Sequence, residues 1–132
     1  MRPTVAIVDS DATMRQTLRT LLGTLDVEVC AYDSAESYFA RASAAHEPVP
    51  ACLIVDVSLS GISGLQMLKQ IRATDRKLPV VLLASEAEVA MAVEAMRHGA
   101  TDFIEKPQLD VALLRRVSQL VRGGNIAKNA VR

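Results

Sequence analysis

Three residues with chemistry to offer stand just past short apolar runs. Asp9 follows Val5-Ala6-Ile7-Val8, Asp56 follows Cys52-Leu53-Ile54-Val55, and Lys106 comes just after the run Thr101 to Ile104. Runs of this length are too brief for helices, and their β-branched content fits strands buried on both faces. Parallel strands deliver their C-terminal ends to one edge of a sheet, and ligands bind there where the strand order reverses. Two carboxylates and an ammonium gathered at that edge, partly desolvated, suit a hard cation and a phosphoryl group. Taken singly, an Asp at a strand end is a turn residue and a Lys before Pro is a solvated charge. Three such placements on one edge favour a site. Neither GxGxxG nor GxxxxGK[ST] occurs in the chain, so nucleotide chemistry of those types is disfavoured. His46 and His98 fall in a loop and at a helix end, which gives a histidine metal site or a nucleophilic triad little support.

The elements that would position these residues alternate in period. Met14, Leu18, Leu21, Leu22 and Leu25 recur at helical spacing after the first strand,. Val27 to Tyr32 reads as the second strand, and Ser34 caps a helix carrying Tyr38, Phe39 and Ala42. His46-Glu47-Pro48-Val49-Pro50 is a loop, because proline removes donors and biases its predecessor away from α. After the third strand, Gly61 and Gly64 bracket a turn. Ser63 with Gln66 then forms a capping box for a helix with Leu65, Leu68 and Ile71. Val80 to Leu83 is the fourth strand. Ser85 with Glu88 makes a second capping box ahead of a helix whose core stripe is Val89, Val93 and Met96. Gly99 suits its C-terminus, and Asp110 to Val121 closes the pattern with Leu114, Val117 and Val121, ended by Gly123-Gly124. Five strands alternating with five helices predict an α/β fold: a five-stranded parallel sheet with helices on both faces. If the order is 2-1-3-4-5, the first and third strands are neighbours, and Asp9 and Asp56 face each other at the edge.

Composition narrows the class. The chain has 132 residues, half of them hydrophobic, with 15 Lys+Arg against 15 Asp+Glu and a formal net charge of zero. One domain with a packed core follows, and bulk charge points to neither nucleic acid nor membrane. No apolar run approaches the length of a bilayer span, and no signal-peptide pattern opens the chain, so a cytoplasmic domain is expected. Cys30 and Cys52 lie in apolar runs and read as small buried thiols. Residues 1–122 form the expected domain, with 123–132 a tail or the start of a linker to an output domain.

These motifs resemble the receiver domains of bacterial two-component response regulators, most of all the FixJ/NarL-like branch. The resemblance spans residue 4 to about 122. It rests on Asp9, on Asp56 with Gly64 eight residues on, on Asp102-Phe103-Ile104-Glu105-Lys106-Pro107, and on the run Met91-Ala92-Val93-Glu94-Ala95-Met96-Arg97-His98-Gly99-Ala100. It implies a flavodoxin-like fold and a phosphoacceptor role for Asp56, served by the phosphohistidine of a sensor histidine kinase. It implies Mg²⁺ held by Asp9, Asp56 and the main-chain carbonyl of Ser58. Lys106 would pair with a phosphoryl oxygen, across a Lys106-Pro107 peptide that is often cis in relatives. Phe103 would be the switch aromatic. Enzyme activity would extend no further than self-phosphorylation and autodephosphorylation of Asp56. The domain would pair as a homodimer through its fourth helix, fifth strand and fifth helix, and would reach DNA only through an output domain outside these residues.

The sequence departs from the family pattern at Ser10, where a second acidic residue is usual, and at Ala84, where the switch hydroxyl belongs. Leu59-Ser60 also replaces the usual Met-Pro. Asp11 could turn toward the metal or cap the first helix, and Ser85 could supply the missing hydroxyl or cap the fourth. Weak or absent Mg²⁺ binding, with slow or absent phosphorylation, is expected. Three readings are open: a phosphorylation switch with a weakened metal site, a degenerate phosphorylation-independent interaction and dimerisation module, and a flavodoxin-like enzyme for a small phosphate ligand.

Overall fold

A computed structural model of the chain describes residues 2–44, 49–106 and 109–130, apart from the side chains of Ala44, Leu109 and residues 123–130. Each apolar run forms a strand: β1 (Thr4–Val8), β2 (Glu28–Tyr32), β3 (Cys52–Asp56), β4 (Val80–Ala84) and β5 (Asp102–Glu105). All pairings are parallel and the order is β2-β1-β3-β4-β5, the order under which Asp9 and Asp56 face each other. The helices are α1 (Ala12–Leu22), α2 (Ala35–Ala44), α3 (Gly64–Thr74), α4 (Val89–Arg97) and α5 (Leu114–Ala130). A short 3₁₀ turn, Glu86–Glu88, precedes α4, and a π-helical turn, Leu109–Leu113, precedes α5.

The pleat divides the interior into two layers. Ala6, Val8, Leu53, Val55, Val80 and Leu82 face one way, toward Tyr38 of α2, Met67, Leu68 and Ile71 of α3, and Ala95 of α4. Their neighbours Val5, Ile7, Cys52, Ile54, Val81 and Leu83 face the other way, toward Leu18 and Leu22 of α1 and Leu113 and Val117 of the last helical segment. Every position of β3 and β4 is buried, as a sheet covered on both faces requires. The strand ends are thereby fixed between two helical layers. Asp9 continues the β1 pairing, its N–H donating to the Tyr32 carbonyl at 3.1 Å.

Several elements differ from the sequence expectation. On α4 the buried residues are Ala92 and Ala95, whereas Val93 is 45 % and Met96 39 % exposed. The helix lies close to the sheet, where Ala92 joins Val57 and Ala84 in a small cluster with Phe103 packed on it, and only small side chains fit that gap. The closing helix does not end at Gly123-Gly124 but runs to Ala130; glycine inside a helix costs about 1 kcal/mol and does not forbid it. Its fully buried residues are Leu113 and Val117, with Leu114 beside them only half-buried, because the π-helical turn shifts the face ahead of α5. Of the expected His46–Pro50 loop, His46, Glu47 and Pro48 lie outside the described residues, as does Pro107.

Candidate functional site

The C-terminal ends of β1, β3 and β5 bring Asp9, Asp56 and Lys106 to one rim. Asp9 and Asp56 are the two polar side chains counted in the buried core among the described residues, at 1 % and 6 % exposure. The Lys106 ammonium donates to Asp56 Oδ2 at 3.2 Å. The other Asp56 oxygen, Oδ1, accepts from the Ser58 N–H at 3.1 Å, so the loop after β3 turns back on its own carboxylate. Asp9 Oδ1 accepts from the Asp11 N–H at 2.9 Å, and the Asp9 carbonyl accepts from the Arg15 guanidinium. Asp9 Oδ2 is buried without a hydrogen-bond partner.

Electrostatics follow from this crowding. Burial pushes the Asp9 carboxyl above its ordinary value of 3.8, and the negative charges of Asp56 and Asp11 add to it against the Asp11 N–H and Lys106,. Burial alone would pull the Lys106 ammonium down. Its hydrogen bond to Asp56 and the charges of Asp56, Asp9 and Glu88 outweigh that, and its pKa is raised. A desolvated carboxylate with one oxygen unsatisfied, next to a second carboxylate, fits a hard cation such as Mg²⁺. Among the described residues, no group of three or more His, Cys, Asp or Glu side chains is placed to hold a metal ion.

The remaining sequence-selected residues have definite places. Asp11 caps α1, its Oδ1 accepting from the Thr13 N–H at 2.9 Å. The Ser10 hydroxyl oxygen accepts from the Ser60 N–H at 2.9 Å and so links the loop after β1 to the loop after β3. Ala84 is fully buried at the end of β4. Ser85 turns its hydroxyl onto Glu88 Oε1 at 2.9 Å, and its N–H donates to the same oxygen at 2.8 Å. Phe103 is half-buried against both the α2–α3–α4 layer and the Val57–Ala84–Ala92 cluster. Gly64 allows α3 to start against the β3 end: a Cβ there would sit 2.5 Å from the Asp56 carbonyl oxygen and 2.8 Å from Val57 Cα.

Two features escaped the sequence reading. The Ser10–Ser60 link joins positions fifty apart, and a lone Ser carries no pattern that announces it. Glu88 was visible as a capping residue, yet its carboxylate also accepts from the Ser58 hydroxyl and lies near the Lys106 charge. The Ser58 hydroxyl, ahead of burial, which opposes it, and the Ser85 N–H and hydroxyl hold the Glu88 carboxyl below its ordinary value.

The sequence matches the family model of the response regulator receiver domain over residues 5–118. It is 30 % identical over 122 residues to the transcriptional regulatory protein FixJ of Bradyrhizobium diazoefficiens, covering 89 % of this chain and 56 % of that one. It is 36 % identical over 113 residues to the C4-dicarboxylate transport transcriptional regulatory protein DctD of Pseudomonas aeruginosa, covering 86 % of this chain and 24 % of that protein. The chain thus spans about half or less of these curated relatives. The structure of full-length FixJ from B. japonicum superposes with a TM-score of 0.84 at 28 % identity, over 98 % of this chain and 62 % of that one. A response regulator receiver protein from Pseudoalteromonas atlantica gives 0.79 at 31 % identity, over 92 % of this chain and 99 % of that one. With the family match, the sequence identities and the fold in agreement, the chain belongs to the response regulator receiver domain family.

Proposed function

We propose that this domain is a phosphorylation switch with a weakened metal site, in which Asp56 accepts a phosphoryl group from the phosphohistidine of a sensor histidine kinase. The observation that supports it is the pairing of a 6 %-exposed Asp56 with Lys106 at 3.2 Å, beside the second buried carboxylate of Asp9. One Asp56 oxygen attacks phosphorus as the P–N bond breaks and its electron pair returns to the imidazole nitrogen. An acyl phosphate on Asp56 results, with no oxidant or further reactant required. Lys106 neutralises charge on the transferring group, and the Ser58 N–H orients the carboxylate. Mg²⁺ would be held by Asp9, Asp56 and the Ser58 carbonyl, and when bound it offsets charge between the attacking and phosphoryl oxygens. Ser10 contributes a neutral hydroxyl already engaged with Ser60, so the site has one charge fewer and weak affinity for the ion,.

Residues 1–122 act as the receiver. Residues 123–132 continue toward an output domain, transcriptional by analogy with FixJ and DctD. A homodimer forms through α4, β5 and α5. That face carries the exposed Met91, Val93 and Met96 and a groove of about 460 Å³ lined by Asp102, Glu105, Arg115 and Arg116. Opposite charges on adjoining elements suit a patch that must complement itself across a two-fold axis.

A second reading, a phosphorylation-independent interaction module, draws on the absence of a hydroxyl at Ala84 and the occupation of Ser10 by Ser60. Acetyl phosphate with Mg²⁺ separates the two. The switch reading expects a covalent adduct of one phosphoryl group, abolished by Asp56→Asn. Intact mass unchanged after incubation would leave the module reading standing.

A further inference from the structure

Glu88 has more partners than a helix cap needs. Its Oε1 accepts from both the N–H and the hydroxyl of Ser85. Its carboxylate also takes the hydroxyl of Ser58, which belongs to the loop after β3. The two loops that border Asp56 are therefore tied together through one negatively charged side chain. Lys106, the one cation in contact with Asp56 among the described residues, lies within the fields of Asp9, Asp56 and Glu88 alike. A phosphoryl group arriving at Asp56 adds further negative charge to this rim. It also needs a hydroxyl that Ala84 does not supply, and the neighbouring Ser85 hydroxyl is already committed to Glu88.

We propose that Glu88 gates the Asp56 site: its carboxylate holds the Ser58 and Ser85 hydroxyls in a bridge between the loops after β3 and β4, and this bridge opens before a phosphoryl group is held at Asp56. Opening frees the Ser85 hydroxyl for the phosphoryl oxygens and moves a competing anion away from Lys106. This rests on the reading of Asp56 as phosphoacceptor. Glu88 is a positioning residue, acting through Ser85, Ser58 and Lys106 rather than on phosphorus itself.

The test is trifluoroberyllate titration in the presence of Mg²⁺, followed by amide NMR shifts around Asp56, on the full 132-residue chain. Glu88→Gln keeps an oxygen to accept from the Ser85 N–H and removes the charge, so the fold is kept while the thermal midpoint falls modestly, by the stability that the lowered Glu88 carboxyl contributes,. Its trifluoroberyllate affinity should rise fivefold or more, and its acetyl phosphate labelling rate should rise with it. Adding Ser85→Ala to Glu88→Gln should return most of that gain. Equal affinity in parent and Glu88→Gln overturns the gate and leaves the Asp56 reading intact. No response from either protein overturns the Asp56 reading, and the gate falls with it.

Discussion

A carboxylate with 1 % of its surface exposed and one oxygen without a partner is held against its preference for water,. Because burial keeps the Asp9 carboxyl above its ordinary 3.8, the folded chain binds that proton more tightly than the unfolded chain does. Stability then falls as pH rises from the ordinary value through the raised one, and the penalty is complete at neutral pH. Asp9→Asn should raise the urea midpoint at neutral pH by the equivalent of about 0.5–2 kcal/mol. It should flatten the acid limb of the stability curve and abolish any Mg²⁺ response; a lower midpoint would refute this account of Asp9. Ser10→Asp should act in the opposite sense, tightening Mg²⁺ binding by adding a third carboxylate beside Asp9 and Asp56 while releasing the Ser60 N–H. Isothermal titration with Mg²⁺ checks it, and unchanged affinity would mean that position 10 does not face the ion. Asp9, Asp56 and Lys106 were legible in the sequence because a polar residue at the end of a buried strand has only one rim to face. The roles of Ser10 and Glu88 were not, since each depends on a partner brought in by another loop.

Among the elements, α4 shows how contact distance overrides hydropathy. Val89, Val93 and Met96 follow helical spacing and read as a core stripe, but Ala92 and Ala95 carry the burial. Periodicity finds a face, and the gap available to that face decides which residues fill it. The capping boxes needed no such information: Ser63 with Gln66 begins α3 as read, because both partners lie within one turn. Gly64 sits at the strictest contact of all, and its Cβ would meet backbone rather than a flexible side chain. Gly64→Ala should therefore lower stability by about 1–3 kcal/mol and displace the loop that carries Ser58. Urea unfolding together with NMR shifts at Ser58 measures both effects, and a variant as stable as the parent would show that α3 can retreat without strain.

At the level of the whole molecule, the parallel sheet and its two helical layers were readable from the alternation of elements, since parallel strands need crossover helices; the order 2-1-3-4-5 was one of the doubly wound orders that the same alternation allows. The reach of the last helix was not readable, because residues beyond Arg122 show no apolar stripe to mark a helix. The apolar face left on α4 is the feature that assembly would use. Met91→Lys with Met96→Glu should leave the thermal midpoint within about 1 °C, since surface changes cost little. If the dimer forms there, the pair of changes should shift sedimentation from dimer to monomer under phosphorylating conditions. Sedimentation unaltered by the pair would place self-association, where it occurs, on another face.

The bond between Ser10 and Ser60 makes the rim beside Asp56 partly self-supporting. A neutral serine oxygen and a main-chain amide hold two crossing segments together, and neither is screened by salt or stripped by a chelator. In a solution short of divalent ions the rim would keep its outline, and protection of the Ser60 amide from deuterium should be the same with EDTA as with excess magnesium.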